Sequence, residues 1–178
     1  MKTLLLILPF LFVGQLIAQN EEDIVKDIRK KYAEARANYS KYTKKTVEMM
    51  DESTEGGQIV AFSDASEIKL LEIEWSGEMG KRTIEYYFHN GELYFAFEQI
   101  YNYNAPIYYD MEMAKENGDE PHDPSKTTVK ANRYYFHSNH LIRWLDPEKN
   151  KVDVKTEEAV ATGKDLLSDS SVKKDKCK

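Results

Sequence analysis

Two pairs of side chains could in principle hold a metal ion. His137 and His140 flank a two-residue turn in a predicted hairpin, and His89 and Glu92 flank the equivalent turn of another hairpin. Residues that face each other across such a turn could reach one ion, but zinc sites use three or four protein ligands. Asp146 lies too far along the strand, so a third ligand would have to come from across the sheet, from a residue such as His89 or Glu92. We therefore expect no metal site and interpret these residues as solvated hairpin ends.

Acidic residues concentrate in a proline-containing segment at about residues 104–126. Residues 117–120 offer oxygen ligands, yet they lack the spacing of a calcium-binding loop. Runs of charge usually form solvated faces. The segment is predicted to be a long surface loop, and loops of this length are usually either functional or disordered. We keep this acidic loop as one candidate binding surface.

No motif in the sequence identifies an active site. The nucleophile elbow Gly-x-Ser-x-Gly, a phosphate-binding glycine loop and His-Glu-x-x-His are all absent from the sequence. A secreted hydrolase remains an alternative, because carboxylate pairs assemble in space and the chain has 31 Asp and Glu. We predict no catalytic residue and no cofactor, and we favour a non-enzymatic binding module. A protein inhibitor, with one exposed loop projecting into the cleft of a partner enzyme, is a further alternative.

The second candidate binding surface is aromatic. The chain contains 12 Tyr, 7 Phe and 2 Trp, which is more than one small core requires. Tyr, Trp and Arg dominate interface hot spots, and an exposed apolar patch usually marks a partner. One sheet face is predicted to carry Tyr87, Tyr94, Arg133, Tyr135, Ile142 and Trp144. On this face Arg133 would stack on Trp144. The alternatives to a binding surface are that the C-terminal segment covers this face, or that Tyr simply suits half-exposed strands.

A repeated hairpin must position these side chains. Residues 85–98 and 133–146 both read Tyr-Tyr-Phe-His, then two turn residues, one polar residue and Leu. Asn90-Gly91 is a strong signal for a type I′ turn, which needs positive φ at both central residues. Ser138-Asn139 is a weaker pair. A degenerate third copy at residues 60–71 lies 25 residues before the first, so the repeats predict a meander of stacked hairpins.

The turn also sets a predicted register. A two-residue turn at Asn90-Gly91 places Phe88 opposite Leu93 and Tyr86 opposite Phe95. The second copy would place Tyr134 opposite Arg143 by the same rule. Strict alternation along the strands then makes one face of the sheet the core.

The remaining elements complete an α+β domain. Apolar residues recur at helical spacing between residues 21 and 42, at Ile24, Ile28, Tyr32, Ala35 and Tyr39. We expect this N-terminal amphipathic helix to pack on an antiparallel β-meander of about seven strands, with a further hairpin at residues 44–50 and 58–63. Residues 157–168 predict a short helix broken at Gly163. Residues 169–178 are interpreted as a polar, frayed tail, which leaves one domain at residues 19–168.

The first 18 residues read as a signal peptide. Lys2 supplies a positive start, an apolar stretch follows, and Leu16-Ile17-Ala18 forms a plausible cleavage site. No Cys lies near this point, so we expect an exported periplasmic or extracellular protein without a lipid anchor or a transmembrane span. Residues 19–178 carry 24 Lys and Arg against 31 Asp and Glu, a net charge of −7. This balance argues against nucleic acid and anionic membranes as partners. We expect a protein or envelope ligand, bound through the aromatic face or the acidic loop.

The motifs resemble those of one group of bacterial proteins. Gly77-Glu-x-Gly80, followed by Tyr86-Tyr-Phe-x-Asn-Gly-x-Leu93 and then by Arg133-Tyr-Tyr-Phe, is similar to small exported proteins of Bacteroidota with repeated Tyr-Tyr-Phe hairpins. The resemblance covers the mature chain and implies export and fold, but no activity. A fainter resemblance to tyrosine-glycine hairpin repeats of the MORN type implies a binding or scaffolding sheet.

Overall fold

The computed structural model describes residues 10–50 and 52–178 as one antiparallel sheet with helices on its two faces. The sheet has eight strands in chain order: β1 Thr43–Glu48, β2 Gly57–Ser63, β3 Ile68–Gly77, β4 Gly80–His89, β5 Glu92–Asn102, β6 Thr128–His137, β7 His140–Leu145 and β8 Lys151–Val152. The helices are α1 Phe10–Ala37, α2 Met111–Asn117 and α3 Glu157–Lys176. The predicted α+β meander is confirmed, and the two-residue β8 brings the strand number to eight.

The two main hairpins turn where the sequence predicts. Asn90 and Gly91 have φ of 52° and 79°, and Ser138 and Asn139 have φ of 48° and 59°. Positive φ at both central residues is what a type I′ turn requires. Phe88 therefore faces Leu93, as predicted.

A β-bulge next to each turn changes the register beyond it. The β4–β5 register shifts between Tyr87 and Phe88, so Tyr87 faces Phe95 and Tyr86 faces Ala96. The predicted pairing of Tyr86 with Phe95 is wrong because the bulge inserts Tyr94 as an extra residue on β5. The alternation restarts one residue late, and every later β5 side chain lies on the face opposite to the predicted one.

The same bulge recurs in the other two copies of the repeat. In the β6–β7 hairpin the shift lies between Tyr135 and Phe136, and Tyr134 faces Trp144 where Arg143 was predicted. In the degenerate copy it lies between Phe62 and Ser63 of β2. The three hairpins therefore share their turn position and their bulge, which supports the reading of 60–71 as a repeat.

Helix α1 covers one face of the sheet. The predicted stripe packs there together with Val25, and Val25 and Ile28 are almost fully buried. The helix begins at Phe10, inside the predicted signal peptide, and residues 1–9 of that prediction lie outside the described residues. Within the described ranges, no helix is long and apolar enough to cross a membrane.

Helix α3 covers the opposite face. The prediction of a short helix broken at Gly163 is wrong, because α3 continues for 20 residues to Lys176. A glycine suits this position because the helix packs closely on β7. A Cβ added at residue 163 would lie only 2.9 Å from Leu141 Cβ. The expected polar tail is therefore helical, and Lys173 and the free thiol of Cys177 are buried at its end.

An ion cluster fastens the end of α3 and predicts a pH dependence of stability. Glu52 accepts hydrogen bonds from Lys173 and Lys176, which lower the pKa of its carboxyl from 4.5 to about 2. A folded-state pKa below the unfolded value means that this contact stabilises the fold above about pH 4.5, and that the stabilisation is lost as the pH falls toward 2.

We expect Glu52→Gln to lower the free energy of unfolding most at neutral pH. The difference from the wild type should shrink below pH 4.5 and vanish only below pH 2, because the wild-type carboxylate becomes fully protonated as the pH falls through its folded-state pKa of about 2. Urea unfolding at several pH values measures this, with Glu55→Gln as an exposed acidic control. A difference that stays constant across the pH range would show that the carboxylate charge does not fasten α3.

Candidate functional site

Most of the predicted aromatic face lies beneath helix α1. Tyr87, Tyr94 and Tyr135 are buried against it, and Ile142 is half-buried at the edge of the same cluster. The N-terminal helix α1 covers this face, and the C-terminal segment does not. These residues therefore do not form an exposed patch, and any binding there must use the margin that α1 leaves open.

Trp144 does not belong to this face. The bulge on β7 places its ring on the α3 side, 5.3 Å from the ring of Tyr134, with its indole nitrogen donating to Asn132. The predicted stacking of Arg133 on Trp144 is wrong for the same reason. Arg133 lies instead over the ring of Phe97, at 5.0 Å from the ring centroid.

A groove runs along the margin between α1 and strands β5 and β6. Its volume is about 220 Å³, below the usual range for a whole drug-sized ligand, so it fits a small ligand or one part of a larger one. The groove is lined by Ile28, Arg29, Tyr32, Phe95, Phe97, Arg133 and Tyr135. Phe95 organises the aromatic floor, with ring centroids 5.4 Å from Tyr32 and 5.0 Å from Tyr135.

Both arginines of this groove are available to a ligand. In the part of the chain that the structure describes, neither Arg29 nor Arg133 lies within ion-pair distance of a carboxylate. Arg133 makes one long hydrogen bond, from Nη1 to the carbonyl of Ala131 at 3.4 Å. By contrast, Arg143 of the next strand is fully engaged by Glu21 and Glu22. Guanidinium groups beside an aromatic floor suit a ligand with an apolar body and an anionic group.

Two carboxylates lie next to the groove on the same face. Glu72 and Glu85 are direct partners on β3 and β4, and Arg36 Nη1 lies 3.6 Å and 3.8 Å from them. Burial, with a contribution from the Glu85 charge, raises the pKa of Glu72 above its usual value. Tyr39 donates a hydrogen bond to Glu72 and Tyr87 donates one to Glu85. Arg36 and the Tyr39 hydroxyl tie the carboxylates to the C-terminal end of α1, whereas the bond from Tyr87 lies within β4.

A buried carboxylate on the α3 side is also occupied by partners. Glu98 accepts hydrogen bonds from Arg82, Asn132 and Tyr134 at 2.7, 3.1 and 2.9 Å. Across the described ranges, no buried side-chain nitrogen or oxygen lacks a hydrogen-bond partner. This cluster therefore serves the packing of the sheet.

The two pairs of residues that flank the hairpin turns keep the predicted geometry. His137 faces His140 and His89 faces Glu92 across their turns, and all four are exposed. His140 Nδ1 lies 2.7 Å from the carbonyl of Ser138. Among described residues, no cluster of three His, Cys, Asp or Glu could hold a metal ion.

Comparison with known proteins adds no assignment, since no family model, curated protein or solved structure matches the chain.

Sequence reasoning found Arg133 and Tyr135 of the groove and missed its other main residues. Phe97 was assigned to the opposite face because the bulge was not foreseen. Tyr32 was treated as part of the helix stripe and Arg29 as part of its solvated side. Three consecutive aromatic residues at 86–88 and the pair at 94–95 break strict alternation, and they are the signal that could have indicated a bulge.

Proposed function

We propose that this protein is an exported, non-enzymatic binding module whose groove holds an amphiphilic ligand with an aromatic or acyl body and one anionic group. The observation that carries the proposal is the pair Arg29 and Arg133, which face an aromatic floor without carboxylate partners among the described residues. A groove with an apolar floor and few polar groups at its rim is typical of small-molecule sites. Export is supported by the sequence pattern of residues 1–18.

The alternative of a hydrolase has one observation in its favour, the raised pKa of Glu72 beside Glu85. A perturbed carboxylate next to a second carboxylate can mark a general acid. Here Arg36 and two tyrosine hydroxyls hold both groups, and the contacts of Arg36 and Tyr39 fasten the C-terminal end of α1 to the sheet. Because a structural role accounts for this pair, binding in the neighbouring groove is the function that we favour.

Two fluorescent probes with the same aromatic rings test the proposed function. 1-Anilinonaphthalene-8-sulfonate carries an anionic group, and N-phenyl-1-naphthylamine lacks it. We expect the double variant Arg29→Gln, Arg133→Gln to bind the sulfonate probe about 10- to 100-fold more weakly than the wild type. Hydrogen bonds to charged groups contribute roughly 1.5–3 kcal/mol. Affinity for the neutral probe should stay within about twofold, since the aromatic floor is retained.

The matched control removes two positive charges from the same elements away from the groove. Lys26 on α1 and Lys130 on β6 are exposed, and neither lines the groove. The double variant Lys26→Gln, Lys130→Gln should bind both probes like the wild type. An equal loss of sulfonate binding in the two double variants, or no loss in either, would refute the proposed site.

A further inference from the structure

The buried tyrosines of the described chain differ in what their hydroxyls contact. The hydroxyls of Tyr86, Tyr87 and Tyr134 each donate a hydrogen bond to a carboxylate. Those of Tyr94 and Tyr135 have no hydrogen-bond partner among the described residues. A hydroxyl in a buried side chain is unfavourable without a partner, so water or a ligand must supply the missing one.

The hydroxyl of Tyr135 opens into the groove. Tyr135 is only 5% exposed and lines the groove, whereas Tyr94 does not line it. No fully buried side-chain nitrogen or oxygen in the described ranges lacks a hydrogen-bond partner, so the unpaired hydroxyl of Tyr135 must keep some contact with solvent. The groove is the opening that Tyr135 lines, and this places its hydroxyl at the floor.

The strand register sets Tyr135 beside one of the two arginines. Phe95 lies directly opposite Tyr135, and Phe97 lies directly opposite Arg133. Tyr135 and Arg133 are two residues apart on β6, so they share a sheet face with their Cα atoms about 7 Å apart. The Arg133 guanidinium lies over Phe97, and the Tyr135 ring lies 5.0 Å from the ring of Phe95. A hydroxyl and a guanidinium are therefore neighbours on one aromatic floor.

The polar side chains of the groove are hydrogen-bond donors. Arg29 and Arg133 can only donate, and the hydroxyls of Tyr135 and the half-buried Tyr32 can donate as well. Among the described residues that line the groove there is no carboxylate, amide or imidazole side chain. This set of donors suits an oxyanion, because an ionised carboxylate or sulfonate offers acceptor oxygens and no donor.

We propose that the Tyr135 hydroxyl is the third donor of an oxyanion subsite and binds the same anionic group as Arg29 and Arg133. The inference rests on the proposed function and narrows its ligand to a compact acid, with the oxyanion joined directly to an aromatic ring or a short acyl chain. Since Tyr135 is buried, an oxyanion that reaches its hydroxyl must lie beside the aromatic floor, not at the solvent edge. The volume of about 220 Å³ leaves space for a small apolar body next to it.

Removal of this single hydroxyl tests the subsite with the two fluorescent probes. We expect Tyr135→Phe to bind the sulfonate probe about tenfold more weakly than the wild type, because one hydrogen bond to a charged group is lost. Affinity for N-phenyl-1-naphthylamine should stay within about twofold, since the ring is retained. The urea unfolding midpoint should not fall, because the hydroxyl has no partner among the described residues to lose.

Two other tyrosines provide matched controls. Tyr134→Phe removes a hydroxyl that donates to Glu98 at 2.9 Å on the α3 side, so it should lower the unfolding midpoint and leave both probe affinities unchanged. Tyr94→Phe removes an unpaired hydroxyl from a buried side chain that does not line the groove, so it should change neither quantity.

The ligand class is tested by displacement of the sulfonate probe. 1-Naphthoate carries a carboxylate directly on the ring system of the probes, and 1-naphthamide is its neutral counterpart. We expect 1-naphthoate to displace the probe from the wild type at least tenfold more effectively than 1-naphthamide, and Tyr135→Phe to reduce this preference. Equal displacement by the two compounds would overturn the assignment to compact acids.

A double-mutant cycle shows whether the hydroxyl and the arginines hold one group. Added to Arg29→Gln, Arg133→Gln, the change Tyr135→Phe should weaken the sulfonate probe by less than it does in the wild type. Full additivity, an equal loss for both probes, or a lower unfolding midpoint in Tyr135→Phe would overturn the subsite. Sulfonate binding that depends on the arginines but not on Tyr135 would overturn this inference alone, whereas independence from both would also refute the proposed function.

Discussion

Replacing Tyr87 by Ala should lower the free energy of unfolding by about 3–5 kcal/mol, the usual cost of truncating a buried aromatic residue. Tyr87 has no exposed surface, and its ring lies at the centre of the cluster that joins α1 to the sheet. Its centroid is 5.0 Å from that of Tyr32 on the helix and 5.8 Å from that of Phe95 on β5. Truncation would remove both contacts and leave a cavity.

Two further variants separate the causes of this loss. Tyr87→Phe retains the ring but removes the hydroxyl that donates to Glu85, and it should cost about 1 kcal/mol. Tyr108→Ala removes an exposed ring and should cost less than about 0.5 kcal/mol. Urea unfolding gives all three values. A loss for Tyr87→Ala no larger than for Tyr108→Ala would contradict the placement of Tyr87 beneath α1.

Replacing Arg143 by Ala should loosen the contact of the middle of α1, around residues 21–28, with the sheet. Arg143 lies almost fully buried on β7, and its Nε donates to Glu21 Oε1 at 2.7 Å while its other nitrogens reach Glu22. Loss of the charged hydrogen bonds of Arg143, worth roughly 1.5–3 kcal/mol, predicts about 10- to 100-fold faster amide hydrogen exchange there. Both carboxylates can return to water, so the effect should remain local.

Lys151 provides the control for this prediction. It also pairs with Glu21 and Glu22, at 3.7 Å and 3.1 Å, but its side chain is exposed. Exposed ion pairs contribute little, so Lys151→Ala should leave exchange in α1 nearly unchanged. If Arg143→Ala also left exchange at residues 21–28 unchanged, the buried arginine would not fasten the helix.

The hairpins and the helix could be predicted because their signals are local. Asn90-Gly91 sets a turn through the φ values that these two residues tolerate, and the apolar stripe of α1 follows the helical period. Tyr87 and Tyr135 were assigned to one face correctly because the inserted residues lie on the partner strands β5 and β7, so the alternation along β4 and β6 is undisturbed.

The site could be predicted only in part because it depends on contacts that are distant in sequence. One inserted residue at Tyr94 moves Phe97 to the face of α1, and the equivalent insertion at Ile142 moves Trp144 away from it. Gly163 reads as a helix breaker by propensity, yet close packing on Leu141 makes it suitable inside α3. Contacts in the folded chain therefore determine the sheet face of Phe97 and Trp144 and the helical conformation at Gly163.

Hydrogen exchange with and without saturating 1-anilinonaphthalene-8-sulfonate tests the central claim most directly, because it locates the bound probe. We predict slower exchange at residues 24–36 of α1 and at residues 95–97 and 133–135 of the sheet, which together frame the groove. Exchange in the acidic loop at residues 104–126 should not change. Protection confined to that loop or to α3, or no protection at all, would contradict a ligand site between α1 and the sheet.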